Sequence, residues 1–369
     1  MSPIVHITTV HSPFDNRIFH RECKTLAEAG YHVVLVAAHA RDELVDGVQI
    51  CAYQRPSRRI ARMTFGVWRA LKTALRQRGQ IYHFHDPEFI PAALLMRLLG
   101  KKLVYDIHED NSTALLEREY LPRPLRAVAA RLFSVLERIA TRPFQQVLAE
   151  RYYTERFPRG HTVLNYARLP SVDDEQLTKR PTHGPARLLY TGNIKEFRGA
   201  LHHARIVHAV DDAEVFLVGR CEPQLAEELK QLSSAAADRL HIEGVGHYVA
   251  HERIIEYYLR ERWTAGLAIF PAGRHTLRKE LTKIFEYMAY GLPIICSNFP
   301  NLSRIVAAND CGLCVDPTDE EAIATAVRYL SQNPDEAVRM GQNGLRAARE
   351  HYHWGTQATN LIELYRRLL

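Results

Sequence analysis

Short apolar runs alternate with longer helix-like stretches along most of the chain. In the first half these runs are IVHITTV, HVVLVAA, GVQICAY, QIYHF, KLVYDIH and QQVLA, and in the second half they are RLLYTGN, AEVFLVG, LHIEGV, AGLAIF and PIICS. Such runs are rich in the β-branched and aromatic residues that are typical of strands. Because strands that alternate with helices form parallel sheets covered by helices, the pattern predicts an α/β fold with doubly wound sheets. The first helix is predicted within FHRECKTLAEAG, with Gly30 just past its end, where a left-handed residue is needed.

The alternation lapses once, near residues 166–185, where proline, glycine and charged residues accumulate. We therefore expect one Rossmann-like domain over residues 1–165 and a second over residues 166–350. The last segment, residues 351–369, predicts a helix that packs back toward the first domain. In such folds ligands bind beyond the carboxyl ends of the strands, so the site is expected in a crevice between the two domains.

The composition allows two domains of ordinary size. The chain has 369 residues, of which 46% are hydrophobic, so it can bury two cores. The N-terminus MSPIVHITTV has no basic run followed by an apolar stretch, and no run approaches the roughly 18 apolar residues of a membrane span. Six scattered cysteines favour a reducing compartment. We therefore expect a cytoplasmic protein that is not exported and does not span a membrane.

Positive charge is concentrated in the first half of the chain. The formal net charge is +6, whereas residues 1–165 hold 24 Lys and Arg against 16 Asp and Glu, which is +8. A basic surface attracts nucleic acid, anionic lipid or a phosphorylated acceptor. The sequence has no zinc-finger, helix-turn-helix or aromatic RNP pattern, so we expect no nucleic-acid partner.

The most basic segment runs from Arg58 to Gln80 and contains seven Lys or Arg and no acidic residue. At helical spacing, one side collects the apolar residues Ile60, Met63, Val67, Trp68, Leu71 and Leu75. A helix of this kind lies at the inner, anionic surface of a membrane, and the segment Pro122–Arg142 would extend that surface. Alternatively, the apolar side packs on the first domain's sheet and the arginines are merely solvated.

The segment LTKIFEYMAYGLPIICS is the most informative for function. It predicts a helix that carries Lys283 and Glu286 on one face near its N-terminus, followed by a glycine turn and a buried strand. A helix N-terminus offers free N–H groups and a positive dipole, which suit a diphosphate, and a carboxylate beside it accepts hydrogen bonds from ribose hydroxyls. The alternative is an intrahelical ion pair on a solvated face.

KIFEYMAYGLPII resembles the donor-site signature of glycosyltransferase family four, whose members are retaining enzymes with the GT-B fold. HSPFDNRIFHRECKTLAEAGYHVVLVA and YHFHDPEFIPAALLMRLLGKKLVYDIHED are similar to segments of the family's bacterial polysaccharide branch. YTGNIKEFRGA, FLVGR and the closing helix at Trp354 also match in order, so the resemblance covers nearly the whole chain. It implies two Rossmann-like domains that face a central cleft and transfer of a sugar from a nucleotide diphosphate donor.

The resemblance places the donor diphosphate against two cations, Arg198 and Lys283. Negative charge grows on the leaving group as the glycosidic bond breaks, and two cations stabilise that charge. The reaction then needs no cofactor and no divalent metal. The family often has a further basic residue where this chain has Asn193, and the donor base is expected at backbone groups near Val245.

Glu286 matches the second glutamate of the family's paired-glutamate motif, which binds the donor ribose. The first glutamate of the pair would lie eight residues earlier, where this chain has Arg278. Either Glu280 replaces it from a shifted loop, or backbone N–H groups of the loop AGRHTLRKE hold the sugar. We favour the backbone groups.

His108, in VYDIHED, matches the family's active-site histidine, whose ring lies against the donor sugar. Asp15 and Arg17, in FDNRIF, follow the first strand, and we expect them on the acceptor side together with His85. The acceptor implied by the resemblance is a glycan or a sugar chain on a polyprenyl phosphate.

A polar cluster of His83, His85, Asp86 and Glu88 follows another strand. Asp86 stands before a proline, so helix capping is an alternative explanation for it. A metal site at this cluster is a lesser alternative, because the chemistry needs no metal.

These observations predict a retaining glycosyltransferase of cell-surface polysaccharide biosynthesis. A dinucleotide-dependent oxidoreductase is disfavoured because the first strand–helix turn, TVHSPFDNR, lacks the G-x-G-x-x-G pattern. Two alternatives remain: a nonhydrolysing sugar-nucleotide epimerase, which uses two such domains, and a catalytically degenerate sugar-nucleotide-binding subunit, which is suggested by Arg278 at the first glutamate position.

Overall fold

The computed structural model describes residues 2–116, 122–173, 177, 184–260, 262–273 and 276–369. The chain divides into two compact units: unit 1 comprises Met1–Asn165 and Trp354–Leu369, and unit 2 comprises Tyr166–His353. The sequence places the first boundary at the same residue and the second one a few residues earlier. Part of the predicted joint, residues 174–176 and 178–183, lies outside the described residues.

Unit 1 is built on an eight-stranded sheet. Its strands are β1 (Ile4–Ile7), β2 (Val33–Ala38), β3 (Glu43–Val45), β4 (Val48–Tyr53), β5 (Ile81–Phe84), β6 (Lys102–Ile107), β7 (Gln145–Leu148) and β8 (His161–Thr162). Its helices are α1 (Lys24–Glu28), α2 (Arg59–Ala61), α3 (Val67–Arg76), α4 (Ile90–Leu98), α5 (Asn111–Leu116) and α6 (Arg123–Ala140), with the C-terminal helix Trp354–Leu368. A π-helical turn, Ile18–Cys23, leads into α1.

The strand order in unit 1 is β3-β4-β2-β1-β5-β6-β7-β8. All neighbouring strands run parallel except β3, which forms an antiparallel hairpin with β4 at the edge of the sheet. The C-terminal helix covers one face of the sheet, where Leu361, Leu364 and Tyr365 join the apolar core beneath β1 and β2. Its first residue, Trp354, donates a hydrogen bond from Nε1 to Thr25 Oγ1 at 2.7 Å.

Unit 2 is built on a six-stranded parallel sheet. Its strands are β9 (Ala186–Thr191), β10 (Ala213–Cys221), β11 (Leu240–Val245), β12 (Ala265–Ala268), β13 (Ile294–Ser297) and β14 (Gly312–Val315), in the order β11-β10-β9-β12-β13-β14. Its helices are α7 (Ala200–Ala209), α8 (Pro223–Leu232), α9 (His251–Arg260), α10 (Thr282–Ala289), α11 (Pro300–Val306), α12 (Glu320–Gln332) and α13 (Pro334–Glu350). The predicted α/β class with two doubly wound, Rossmann-like sheets is confirmed.

The basic segment Arg58–Gln80 is helical over most of its length, but its apolar residues do not share one environment. Val67 and Leu71 are buried against the sheet of unit 1, whereas Ile60 and Trp68 are largely exposed. The explanation that the helix packs on the sheet therefore holds for its inner side only. Among the described residues, no helix has both the length and the apolar character needed to cross a bilayer.

Candidate active site

In unit 1, polar residues converge at the carboxyl ends of three neighbouring strands, β1, β5 and β6. Parallel strands end at the same edge of a sheet, so loops that are distant in sequence meet there. The loop after β1 supplies Asp15 and Arg17, and β6 supplies Asp106 with His108 just beyond it. Asp15 stabilises a turn in this loop, because its Oδ1 accepts hydrogen bonds from the backbone N–H groups of Arg17 at 2.8 Å and Ile18 at 3.0 Å.

A buried ion pair of Arg17 and Asp106 holds this edge together. The guanidinium donates two hydrogen bonds to the carboxylate, from Nε at 2.8 Å and from Nη2 at 2.7 Å. Its Nη1 donates to the carbonyl oxygen of Val163 and to Asn165 Oδ1. Burial alone would raise the pKa of Asp106, but Arg17 lowers that pKa well below its usual value. Asp106 is therefore a carboxylate, and Arg17, expected on the acceptor side, lies beneath the surface with its donors occupied.

A chain of buried hydrogen bonds leads from Asp106 into the core. His85 Nδ1 lies 3.1 Å from Asp106 Oδ2, and His85 Nε2 lies 3.0 Å from His6 Nδ1. Tyr365 OH lies 3.3 Å from His6 Nε2 and 2.7 Å from His83 Nδ1. Burial lowers the pKa of His6 and of His83 well below the usual value, so both rings are neutral.

The tautomers along this chain follow from its acceptor end. Asp106 only accepts, so His85 carries its proton on Nδ1 and accepts on Nε2 from His6 Nδ1–H. Tyr365 then donates to His6 Nε2 and accepts from His83 Nδ1–H. Each group donates one hydrogen bond to the next, so these hydrogen bonds all run in one direction, from His83 to Asp106. His85, expected on the acceptor side, thus supports Asp106 from below.

His108 stands directly above this chain, one residue past the end of β6. Its Nδ1 is 3.1 Å from Asp106 Oδ2, and its Nε2 is 3.0 Å from His11 Nε2. A carboxylate against one ring nitrogen fixes the proton on that nitrogen and leaves a lone pair on the other. Asp106 therefore sets His108 as the Nδ1–H tautomer, with Nε2 able to accept a proton.

His11 is a site residue that the sequence analysis did not single out. Its Nδ1 is 3.6 Å from Asp15 Oδ2 and its Nε2 is 3.4 Å from Asp86 Oδ1. Burial opposes the charge of His11, but the hydrogen bond to Asp15 and the charge of Asp86 raise its pKa to about 9. At neutral pH His11 is thus an imidazolium beside the ring of His108. Its position immediately before the SPFDNR turn was the available signal.

Asp86 does not cap the helical turn that follows it. Its Oδ2 accepts hydrogen bonds from Thr8 Oγ1 at 2.9 Å and from the backbone N–H of Thr9 at 2.6 Å, so it secures the end of β1. The capping explanation is therefore wrong, because the loop after β1 competes successfully for the same oxygen. Glu88, next along the chain, lies 3.6 Å from the guanidinium of Arg62.

Two groups of side chains in unit 1 have ligand atoms close enough to hold a metal ion. They are His6, Glu22, His83 and His85, and the overlapping set His85, Asp106 and His108, with ligand atoms within 4.8 Å of one another in each set. Burial and the charge of Asp106 raise the pKa of Glu22 well above its usual value, although its Oε1 lies 3.1 Å from Arg17 Nη2. Within the first of these sets, His83 Nε2 and both carboxylate oxygens of Glu22 are buried without a hydrogen-bond partner among the described residues.

In unit 2 the predicted donor residues surround the carboxyl end of β9. Asn193 follows the strand and is exposed, and its carbonyl oxygen accepts a hydrogen bond from Tyr190 OH at 3.0 Å. Arg198 interacts with the same phenol, and its guanidinium lies 5.8 Å from the centroid of the Phe197 ring. Gly199, in the left-handed region at φ 82°, caps the N-terminus of α7. Arg198 therefore stands at a helix N-terminus, where backbone N–H groups are free.

Lys283 and Glu286 form the ion pair that their spacing predicts, but on a mostly buried face. Lys283 Nζ lies 2.5 Å from Glu286 Oε2, and Tyr258 OH donates to the same oxygen at 3.0 Å. Tyr258 OH also lies 2.5 Å from Thr191 Oγ1, at the last residue of β9. The pair is thereby tied to the end of β9, which excludes the solvated-face alternative.

Gly192 allows Lys283 to reach the end of β9. Its φ of 108° is in the region that favours glycine, and a Cβ placed on it would lie 2.9 Å from Lys283 Cε and 3.3 Å from Nζ. No larger residue fits unless the lysine moves. The glycine of the YTGN motif therefore sets the position of the ammonium group.

The loop before α10 contains the two residues considered for the first glutamate position of the family motif. Arg278 is exposed, whereas Glu280 is buried and accepts a hydrogen bond from Arg304 Nη2 at 3.1 Å. Glu280 is thus engaged with α11. Arg274 and His275 of the same loop lie outside the described residues. Val245 ends β11 at the same sheet edge, and its carbonyl oxygen lies 3.0 Å from His247 Nδ1.

Two protein-family models match the chain. The model described as glycosyl transferases group 1 matches residues 179–347, and the model described as glycosyltransferase family 4 matches residues 16–157. Glycogen synthase of Mycobacterium tuberculosis is 26% identical over 193 residues, which are 51% of this chain and 44% of that protein. This chain therefore spans less than half the length of that relative.

Solved structures match the chain over nearly its whole length. Sucrose-phosphate synthase of Thermosynechococcus elongatus has a TM-score of 0.75 at 18% identity, over 100% of this chain and 99% of that one. HepE of Anabaena, solved in complex with UDP-glucose, has a TM-score of 0.71 at 10% identity, over 99% of each chain. The structures establish the fold, and the two family models together cover most of the sequence. The chain therefore belongs to family 4 of the glycosyltransferases, which have the GT-B fold.

Proposed function

We propose that this protein transfers a sugar from a nucleotide diphosphate sugar to a glycan or lipid-linked acceptor, with retention of configuration and without a divalent metal. The observation that carries the proposal is the arrangement at the end of β9. There Arg198 stands at a helix N-terminus and Lys283 is fitted against Gly192. Two cations and free N–H groups at one strand end form a site for a diphosphate.

The two cations stabilise negative charge on the diphosphate, as a bound metal ion would. As the bond between the anomeric carbon and the β-phosphate oxygen breaks, negative charge grows on the departing diphosphate. Fixed cations stabilise that charge without reorganising, which favours the transition state over the bound donor. Lys283 is paired with Glu286, so Arg198 gives the site a net charge of about +1 before the dianionic ligand binds.

Glu286 is suited to bind the donor ribose. Tyr258 and Lys283 both contact its Oε2, which holds the carboxylate in one orientation. A carboxylate held in this way can accept hydrogen bonds from the two neighbouring hydroxyls of a ribose. The complex of HepE with UDP-glucose supports a nucleotide sugar as the donor class.

Recognition of the sugar is assigned to backbone groups of the loop before α10. Glu280 would have to leave Arg304 to reach a ligand, at the cost of a charge-assisted hydrogen bond of about 1.5–3 kcal/mol. Thr276 already organises part of this loop, because its Oγ1 accepts from Gly273 N–H and donates to the Pro271 carbonyl. A preformed loop can present N–H groups to sugar hydroxyls.

In unit 1 the catalytic role is assigned to His108, with Asp106 as the residue that positions it. The proposed reaction forms a bond between the acceptor oxygen and the anomeric carbon while the bond to phosphate breaks on the same face. The acceptor proton goes to the departing phosphate oxygen. His11 is cationic and its Nε2 lies 3.0 Å from His108 Nε2, so positive charge stands beside the proposed catalytic ring.

The acceptor is proposed to be a growing polysaccharide, carried on a polyprenyl phosphate at the inner surface of the membrane. The charge of +8 in residues 1–165 supports an anionic or phosphorylated partner. The enzyme would then associate peripherally with that surface.

The test begins with a thermal-shift screen of UDP, GDP, ADP and CDP, followed by the corresponding sugar nucleotides. We expect one diphosphate to stabilise the protein, and transfer with its sugar nucleotide to continue in excess EDTA. Arg198→Ala and Lys283→Ala should each weaken diphosphate binding by about 1.5–3 kcal/mol and spare nucleoside binding.

Three outcomes would contradict the proposal. Loss of transfer in EDTA would show that a metal is needed. Conversion of the sugar nucleotide without any acceptor would indicate an epimerase. Binding without transfer to any acceptor would indicate a sugar-nucleotide-binding subunit.

A further inference from the structure

Helix α6 presents its apolar side to solvent. Six large apolar side chains recur at helical spacing along it, and all are 39–64% exposed: Leu125, Val128, Leu132, Val135, Leu136 and Ile139. A helix on the surface of a protein normally turns such a stripe toward the core. Here the stripe is about four turns long and unburied.

The side of α6 that faces the protein carries small apolar residues, Ala130 and Ala140, and one acidic residue, Glu137. Glu137 is buried there, accepts a hydrogen bond from Tyr105 OH at 2.7 Å and forms an ion pair with Arg156. These contacts fix the rotation of the helix, because turning the apolar stripe inward would expose Glu137's partners and leave a buried charge unpaired. The exposure of the stripe is therefore built into the packing of the unit.

The exposed apolar surface continues onto the neighbouring helices. Helix α4 packs against both α6 and α3, so the three lie side by side on one face of the sheet. Leu98 on α4 is 84% exposed, and Trp68 on α3 and Ile60 on α2 are 61% and 80% exposed. We call these exposed side chains of α2, α3, α4 and α6 the apolar face. Several large apolar side chains exposed on adjacent helices are typical of an interaction site.

The charges around the apolar face are positive. Arg131 and Arg138 flank the stripe on α6, and no acid accompanies the arginines of the Arg58–Gln80 segment. At the C-terminal end of α6 a groove of about 640 Å³ is lined by four arginines, Arg138, Arg142, Arg156 and Arg159, and by one acidic residue, Glu155. Arg156 is paired with Glu137, so the other three arginines supply the positive charge of the groove. Such a groove suits an anionic headgroup.

We propose that the apolar face is a membrane-docking surface, which inserts its side chains among the headgroups of an anionic phospholipid bilayer. Exposed arginines beside the stripe contact lipid phosphates, and the arginine groove accommodates a headgroup. A second copy of this chain is a poor occupant, because arginines outnumber acidic residues around this face among the described residues, so two such faces repel each other. The inference rests on the proposed function in one respect: a lipid-linked acceptor explains why a bilayer is the partner.

Trp68 provides a direct reporter of docking. The chain has three tryptophans, and the other two, Trp263 and Trp354, are buried. With vesicles of phosphatidylglycerol and phosphatidylcholine at low salt, we expect co-sedimentation and a blue shift of the Trp68 emission. With pure phosphatidylcholine vesicles, or with anionic vesicles at high salt, both signals should disappear.

Two variants separate the apolar contribution from the charged one. Leu132→Glu with Leu136→Glu places two charges on the stripe and should reduce vesicle binding at least tenfold. Replacing Arg131, Arg138 and Arg142 by Glu should reduce it about 100-fold, because each cation at an anionic surface contributes about 1 kcal/mol. All five side chains are exposed, so the fold should be retained.

The matched control is Leu44→Glu, an exposed leucine of β3 at the edge of the sheet away from α6. It should bind vesicles as the wild type does. Binding of nucleoside diphosphates should be unchanged in every variant, so that loss of docking is distinguishable from failure of the donor site. The inference is overturned if the wild type ignores anionic vesicles at low salt or if the variants bind as well as it does. It is also overturned if lipid-free protein is a dimer that the leucine variants dissociate.

Discussion

Replacing Gly192 by alanine should weaken the donor site through Lys283 alone. The added Cβ would lie 2.9 Å from Lys283 Cε, and this flexible end of the side chain is the group that must move. The positive φ of 108° adds a conformational cost of about 1–2 kcal/mol for alanine. If the displaced ammonium group no longer reaches the diphosphate, the loss is about 1.5–3 kcal/mol, or roughly 10- to 150-fold in Kd.

Isothermal titration calorimetry with the nucleoside diphosphate and with its nucleoside would measure this effect. We expect the diphosphate to bind more weakly by that factor and the nucleoside to bind unchanged. Gly30→Ala is the matched control, because Gly30 has a φ of 87° and a Cβ on it would meet nothing within 4 Å. This variant should lose stability and keep its donor affinity.

A double variant identifies the route of the effect. If Gly192→Ala acts through Lys283, combining it with Lys283→Ala should bind the diphosphate no more weakly than Lys283→Ala alone. Unchanged diphosphate affinity in Gly192→Ala would refute the reasoning. An equal loss for the nucleoside would also do so, because it would indicate a general distortion of the strand end.

Further predictions concern the cluster of unit 1 and the two proposed substrate contacts. Asp106→Asn should destabilise the protein by about 3–5 kcal/mol, because it removes the carboxylate that accepts two hydrogen bonds from the buried guanidinium of Arg17. Only Glu22 then remains beside that guanidinium, 3.1 Å from Nη2, and urea unfolding of wild type and variant measures the loss. The pKa of His11 is raised to about 9, so its stabilising contribution is fully present below pH about 6.5 and is lost as the pH rises through about 9. The melting temperatures of wild type and His11→Gln should therefore converge above pH 9, and a gap that stays constant with pH would contradict the assignment. His108→Ala should slow transfer more than tenfold and spare nucleotide affinity, whereas Glu286→Ala should weaken nucleoside and diphosphate binding alike; a rate within twofold of wild type would make His108 structural.

The sequence alone indicated much of the donor half of the site. The segment from Lys283 to the following strand combines helix periodicity, a charge pair and a glycine turn, and these are local signals. The ion pair with Glu286 formed as its spacing of three residues predicts, because neighbours on a helix face are set by helix geometry. The left-handed conformation of Gly30 after the first helix was likewise predicted from local chemistry and is confirmed.

Other features depended on packing between distant segments. Asp86 precedes a proline as a capping residue does, but its carboxylate binds the backbone after β1, which only the sheet order brings near. The apolar residues of Arg58–Gln80 appear equivalent in the sequence, yet Leu71 is buried and Trp68 is exposed. Helical spacing predicts on which side of a helix a residue lies. Whether that side is buried depends on the element that packs against it.

Sequence by itself determined the α/β class, the family and the residues at the ends of β6 and β9, because strand periodicity and short motifs are encoded locally. Only the tertiary structure decided that His6, His85 and Tyr365 form one directed chain behind Asp106, since these residues lie up to 359 positions apart. It alone also decided that α6 turns its apolar side outward, because the buried pairing of Glu137 fixes the helix's rotation. Burial of a side chain and the choice of its hydrogen-bond or ion-pair partner are properties of the assembled core, and no local sequence pattern determines them.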